Sequence, residues 1–164
     1  MSRAARLFIC AIFVLPAAAR AQRTPAAPRA ASELFNQLKW RHIGPEGNRV
    51  SAVTGVIRDP NVYYAGAASG GIFKTIDGGL HWEPVFDSMP VSSIGALAVA
   101  PSDPNVVWAG TGESSIRSNV SLGWGIYKST DAGRSWIRSG LDSTGRIARI
   151  VVHPTNPDLV YATA

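Results

Sequence analysis

The sequence predicts an all-β chain, a β-propeller of repeated four-stranded blades, and three observations carry that expectation. The pattern S/T-x-D-x-G-x-x-W occurs twice, as Thr75-Ile76-Asp77-Gly78-Gly79-Leu80-His81-Trp82 and as Ser129-Thr130-Asp131-Ala132-Gly133-Arg134-Ser135-Trp136. Each copy lies between short alternating apolar runs, GGIFK and HWEPVF in the first, WGIYK and SWIRS in the second, where a hairpin has to turn. Both copies also sit inside a larger repeat: DPNVYYAGA from Asp59 matches DPNVVWAGT from Asp103, and NPDLVYATA from Asn156 opens a third unit.

The first element is a leader. Arg3 and Arg6 precede the apolar run LFICAIFVL, followed by Pro16 and the small-x-small site Ala19-Arg20-Ala21, so residues 1–21 are expected to form a secretory signal peptide cleaved after Ala21. Nine apolar residues fall well short of the roughly 20 that a spanning helix needs. The expected destination is secreted or periplasmic, with no membrane span after cleavage. Cys10, the single cysteine, lies within this leader, so the mature chain is expected to hold neither a disulfide nor a thiol nucleophile.

Removal of the leader changes the meaning of the charge. The formal +5 and sixteen basic residues lose Arg3, Arg6 and Arg20, leaving thirteen bases against eleven acids, and Arg23 and Arg29 fall in the Pro/Ala linker of residues 22–31. The remaining Lys and Arg are scattered among acids without a basic stripe, which argues against a nucleic-acid partner.

Residues 32–48 are expected to supply a short helix, SELFNQLKW with Ser32 as N-cap, and the segment leading into the first blade. From Arg49 onward short strands are divided by Gly, Pro, Asn and Asp, without helical periodicity. Blade 1 is assigned to residues 49–92, with strands RVSAVTGVI, VYYAGA, GIFKT and HWEPVF. Blade 2 is assigned to residues 93–145, with SIGALAVA, VVWAGT, GIYKS and SWIRS. Residues 146–164 give only RIARIVV and LVYATA, the first half of a third blade. Propellers typically close with about 4 to 8 blades, so about two and a half are expected to be an N-terminal piece that the remaining blades of a longer chain complete. A compact sandwich of the same ten strands is the competing architecture.

The repeats are unequal at one place. Pro60 to Asp77 spans 17 residues and Pro104 to Asp131 spans 27, so ten residues are inserted before the second turn, in the loop of residues 111–124.

The two turns resemble the Asp-box, or BNR, repeat of sialidases, xyloglucan-cleaving glycosidases and the sortilin/VPS10 propeller. The chain is most similar to large exported bacterial proteins with sortilin-like repeats, often labelled glycosyl hydrolase-like. The shared stretches are W-R-x-I-G-P at residues 40–45, G-T-G-E at 110–113 and G-I-Y-K-S-T-D-A-G at 125–133. The resemblance implies a propeller in which Thr75, Asp77, Gly79, Trp82, Ser129, Asp131, Gly133 and Trp136 are structural staples of the hairpins.

It does not imply catalysis by these residues. In the xyloglucan-cleaving group a catalytic Asp resembles the D of Y-A-R-T-D-V-G-G, and the matching stretch Tyr64-Ala65-Gly66-Ala67-Ala68-Ser69-Gly70-Gly71 has Ala68 there. Glycoside hydrolysis usually needs two carboxylates. The Arg-Ile-Pro signature of sialidases is absent from HIGPEGNRV. His42, His81 and His153 read as isolated, so no metal and no cofactor are expected. GAASGG lacks the Lys and helix of a phosphate loop, and no G-x-S-x-G elbow occurs.

In a propeller, successive turns alternate between two ends, so the Asp boxes mark one end and the other gathers the remaining loops. That second end is expected to carry Glu46, Arg49, Ser69, Glu113, Arg117, Trp124, Asp142 and Arg146 as candidate ligand-binding residues. Ordinary solvated loop residues are the plainer reading of the same set. Two functions stay open: a non-catalytic exported module binding a peptide, protein or glycan, and a glycoside hydrolase whose carboxylates lie in other blades.

Overall fold

The computed structural model describes Gly44, Pro45 and residues 49–164. The expected leader, linker and helix, the binding candidate Glu46 and His42 lie outside the described residues. The described residues form ten strands and no helix, in antiparallel sheets. Blade 1 is β1 (Val50–Val56), β2 (Asp59–Ala67), β3 (Ile72–Thr75) and β4 (Glu83–Pro84), paired in that order. Blade 2 repeats it with β5 (Ile94–Ala100), β6 (Asp103–Thr111), β7 (Ile126–Ser129) and β8 (Ile137–Arg138). β9 (Arg149–Val152) and β10 (Val160–Thr163) make a two-stranded sheet.

The registers repeat with the sequence. β1 pairs Val53 with Ala65 where β5 pairs Leu97 with Ala109, and both hairpins shift register at matching places, after Val50 and Ile94 and after Gly55 and Val99. β2 and β6 start three residues earlier than the apolar pattern suggests, at Asp59 and Asp103. The reason is local: Asp59 Oδ1 accepts from Asn61 N at 3.0 Å and Asp103 Oδ1 from Asn105 N at 2.9 Å, closing a turn that the polar residues hide from periodicity.

β4 and β8 are shorter than HWEPVF and SWIRS suggest, two residues each. The amides just before them are already engaged, since Asp77 accepts from Leu80 N and His81 N and Asp131 from Ser135 N. An amide bonded to a carboxylate cannot serve the ladder, so pairing begins only at Glu83 and Ile137. Beyond the short strands it continues as single bonds from Val85 N to the Ile72 carbonyl and from Ser139 N to the Ile126 carbonyl, each 2.8 Å.

Stacking of whole sheets makes the core. One face of blade 1, with Tyr64, Ile72 and Phe86, packs against Ile94, Leu97, Val107, Ala109, Tyr127 and Trp136 of blade 2. Phe86 meets Tyr127 and Trp136 edge-on, with ring centroids 5.3 and 5.2 Å away. The opposite face of blade 2, with Ala96, Val106, Trp108 and Ile126, packs against Ile147, Ile150 and Val152 of the third sheet. Close approach at both contacts depends on one glycine per blade. A Cβ on Gly66 would stand 2.5 Å from Ile94 Cγ2, and one on Gly110 would stand 2.4 Å from Ile147 Cγ2.

The two hairpin turns differ at one backbone position. Gly78 (φ 71°) in the first corresponds to Ala132 (φ 59°) in the second, and a left-handed alanine is strained by roughly 1–2 kcal/mol. Ala132→Gly is therefore expected to stabilise the chain by about 1 kcal/mol after the entropy of the added glycine is set against the relieved strain. Denaturant unfolding of the variant checks this, and a loss of stability would contradict it.

Candidate functional site

The two ends of the sheets are built differently. At one end the Asp turns meet the turns between first and second strands, through Gly78 N to the Asn61 carbonyl and Ala132 N to the Asn105 carbonyl, each 2.9 Å. At the other end Ala68 N donates to the Arg49 carbonyl at 2.9 Å, and Gly70 N and Gly71 N both donate to the Ser92 carbonyl. The division into a turn end and a loop end thus follows from the strand order.

Each Asp turn is a closed set of hydrogen bonds. Thr75 Oγ1 donates to Asp77 Oδ1 at 2.8 Å and accepts from Gly79 N at 3.0 Å. Ser129 Oγ does the same with Asp131 Oδ1 at 2.8 Å and Gly133 N at 2.8 Å. Gly79 and Gly133 take φ of 91° and 87°, which an L side chain rarely adopts. The second carboxylate oxygen is also engaged: His81 Nδ1 lies 2.6 Å from Asp77 Oδ2, and Ser135 Oγ donates to Asp131 Oδ2 at 2.6 Å. His81, which the sequence reads as isolated, is therefore the fourth-position partner of Asp77.

These contacts lower both carboxyls. Asp77 sits far below the usual carboxylate range, first through the His81 amide, then the His81 ring and Thr75. Asp131 falls to about 2, first through the Ser135 hydroxyl and amide and then through Ser129. Carboxylates with every oxygen occupied and such low proton affinity suit neither general acid nor general base work at neutral pH.

Trp136 extends its turn across the blade boundary. Its Nε1 donates to the Val85 carbonyl of blade 1 at 2.8 Å and to the Gly133 carbonyl at 3.1 Å. In return Tyr64 Oη and Lys74 Nζ of blade 1 both donate to the Ala132 carbonyl, each at 2.9 Å. Burial, and next the charge of Asp131, push the Tyr64 phenol up to about 12.

At the loop end the predicted residues divide into two clusters. Arg117 grips Glu113 with both prongs, Nε to Oε1 at 2.7 Å and Nη2 to Oε2 at 2.5 Å, and Arg49 Nη2 lies 3.4 Å from Oε1. Glu113 is 2 % exposed, so the expectation of a ligand-facing acid is corrected. Its carboxyl is lowered first by the Arg117 hydrogen bonds and further by the charges of Arg117 and Arg49, against the opposing effect of desolvation. The ten-residue insertion is thus tied to the start of blade 1 by an ion-pair triad.

The second cluster is open. Trp124 is 57 % exposed, the Arg138 guanidinium lies 5.9 Å from its ring centroid, and Arg138 Nε pairs with Asp142 Oδ1 at 2.9 Å. Trp124 borders a cleft of about 210 Å³ lined by Val91, Ser92, Ser93, Ser121 and Leu122. The base of this loop is fixed by Thr111, whose Oγ1 donates to the Gly125 carbonyl at 2.7 Å and accepts from Trp124 N at 2.8 Å. Ser69 and Arg146 are exposed on neighbouring loops. Sequence reading misses Arg138, which looks like a strand residue, and Asp87, an exposed acid in the stretch after β4. Arg138, the last residue of β8, stands four positions before Asp142 and is visible in the sequence only as an i,i+4 charge pair.

Ala68, at the position of the xyloglucan-cleaving Asp in the resemblance, is fully buried. Among the described residues the acids of the loop end are Asp87, the arginine-bound Glu113 and the Arg138-bound Asp142.

No protein-family model matches the chain, and no curated protein does. Solved structures do. An ancestral GH74 enzyme aligns with 75 % of this chain and 17 % of its own, at 21 % identity and a TM-score of 0.59. A GH74 enzyme of Niastella koreensis aligns over 62 % of this chain and 16 % of its own, at 20 % identity and TM-score 0.49. The GH74 xyloglucanase of Xanthomonas campestris aligns over 76 % and 29 %, at 17 % identity and TM-score 0.40. This chain spans about a sixth of the ancestral enzyme's length. Together with the two four-stranded sheets, that likeness makes the chain an all-β, propeller-like structure rather than a sandwich.

The Asp turns set an acid limit on stability. Asp131 is depressed from 3.8 to about 2, so its contribution is fully present above about pH 4 and is lost as pH falls towards 2. Acid unfolding of wild type is expected to steepen in that window, and Asp131→Asn to flatten it while lowering stability at pH 7. A variant with an unchanged acid profile would contradict the clasp.

Proposed function

We propose that this chain belongs to an exported, non-catalytic propeller whose loop end holds a peptide, protein or glycan, while Asp boxes of the BNR type hold its blades. The observation that carries this reading is the state of the acids. Glu113 is neutralised between two arginines, Asp77 and Asp131 are consumed by their own turns, and Ala68 replaces the one acid that the resemblance would make catalytic. What the loop end offers instead is an exposed indole beside a small cleft, with Arg138 and Asp142 at its margin. A flat aromatic face with polar neighbours suits stacking on a sugar ring or an extended peptide. Export follows from the signal-like residues 1–21, and the sortilin-like bacterial repeat proteins are the kind of chain it resembles. Nucleic acid is not a partner in this reading, and the remaining blades of a longer chain are.

A second reading, a glycoside hydrolase, is favoured by the likeness of the fold to an ancestral GH74 enzyme. It requires two carboxylates about 5 to 10 Å apart, supplied by blades beyond those described.

Glycan and peptide arrays, with a reducing-end assay on xyloglucan and other polysaccharides, separate the two. Capture without turnover is expected, and Trp124→Ala is expected to weaken capture about tenfold or more with the fold intact. Sustained release of reducing ends, abolished by replacing an acid, would overturn the binding reading.

A further inference from the structure

A cleft of about 270 Å³ lies at the turn end, between the Asp turn of blade 1 and that of blade 2. Lys74 of β3, Glu83 of β4, Val85 and Ile76 form its blade 1 wall, and residues 132–134 of the second turn form the other. Asp77 and His81 also border it, but they are already bound to each other, Oδ2 to Nδ1 at 2.6 Å. The three remaining charges are open. Lys74 Nζ crosses the cleft to the Ala132 carbonyl, two residues from Arg134, and lies 5.4 Å from the Tyr64 ring centroid. Among the described residues Lys74 makes no ion pair, and the side chains of Glu83 and Arg134 make neither an ion pair nor a hydrogen bond. They nevertheless act on one another. Burial and then the Arg134 charge lower the proton affinity of Lys74, and Glu83 works in the opposite sense.

The repeat supplies a comparison. Lys128 stands where Lys74 does, opposite Ile137 in the register as Lys74 is opposite Glu83. Lys128 is closed off by an ion pair to Asp158 of the next turn. The same place in blade 2 holds Asn105, because Asp103-Pro104-Asn105 matches Asn156-Pro157-Asp158, so Lys74 lacks that partner. Arg134 and Glu83 are likewise peculiar to this boundary, since the other copies hold Leu80 and Ile137 there. The hairpins need neither charge: both copies make the same bonds from Gly79 N and Gly133 N to the Thr75 and Ser129 hydroxyls.

The cations Lys74 and Arg134 balance the carboxylates Asp77 and Glu83, so the cleft is polarised without a strong net charge. A plain anion meets repulsion from Glu83 and Asp77, and a plain cation meets it from Lys74 and Arg134. We propose that the cleft binds a free α-amino acid as its zwitterion, with the carboxylate on Lys74 and Arg134, the ammonium on Glu83, and an apolar side chain against Ile76 and Val85. A ligand of that size matches a volume just under the roughly 300–1,000 Å³ of pockets that take drug-sized molecules. The site lies at the end opposite Trp124, and it is independent of whether the loop end binds or cleaves.

Titration of the 164-residue chain with leucine, followed through backbone amide shifts, tests it. Saturable shifts centred on Ile76 and residues 132–134 are expected. N-acetylleucine lacks the ammonium and leucinamide lacks the carboxylate, so each should bind at least about tenfold more weakly than leucine. Arg134→Leu and Glu83→Ile, each importing the residue of the other copy, should cost a similar factor with the melting temperature nearly unchanged. The two modified ligands on the wild-type chain decide the matter even where a substitution lowers the melting temperature. Absence of saturable shifts at these residues would overturn the proposal. So would N-acetylleucine binding as tightly as leucine, which makes the cleft an anion site, or leucinamide doing so, which makes it a cation site.

Discussion

A β-sheet with two apolar faces needs cover on both, and this chain meets that need by laying one sheet upon the next. Everything else in the structure is arranged around that stacking. Ile94, Leu97 and Val99 of β5 have their counterparts 53 residues on, in Ile147, Ile150 and Val152, and each set enters the face of the preceding blade. Gly66 and Gly110 lie under these side chains because any Cβ would collide with them. The repeat in the sequence is therefore a repeat of interfaces as much as of sheets.

The Asp turns serve the same end. By binding the amides at positions 79–81 and 133–135, each turn ends one strand and starts the next at a fixed place. The second turn also carries Trp136 into the boundary with blade 1, where Tyr64 and Lys74 answer it from the other side. Fixed turns at one end leave the opposite end free to vary, and the ten-residue insertion lies there. The Arg49–Glu113–Arg117 triad shows how such a loop is held: a carboxylate taken out of water is tolerated because two guanidiniums meet it.

Much of this was legible in the sequence, for identifiable reasons. The strands follow from period-two runs, the hairpins from residues whose chemistry acts within five positions, and the blade count from internal repetition. What escaped acts across space. Glu113 looks like an exposed acid until Arg49, 64 residues earlier, is brought beside it. His81 looks solitary because its role is filled by a serine in the other copy. The indole of Trp136 looks like a lid for its own turn, and its bond to Val85 depends on how two sheets lie together. The shortness of β4 and β8 reflects competition for amides that no hydropathy pattern records.

Whether stacking of faces holds the fold is decided by residue-resolved native-state hydrogen exchange of the 164-residue chain. Blade 2 is covered on both faces, so the amides of β5 and β6 are predicted to be the best protected, with β1 and β2 lower and β9 and β10 lowest. Equal protection across all three sheets, or better protection of β1 and β2 than of β5 and β6, would contradict it.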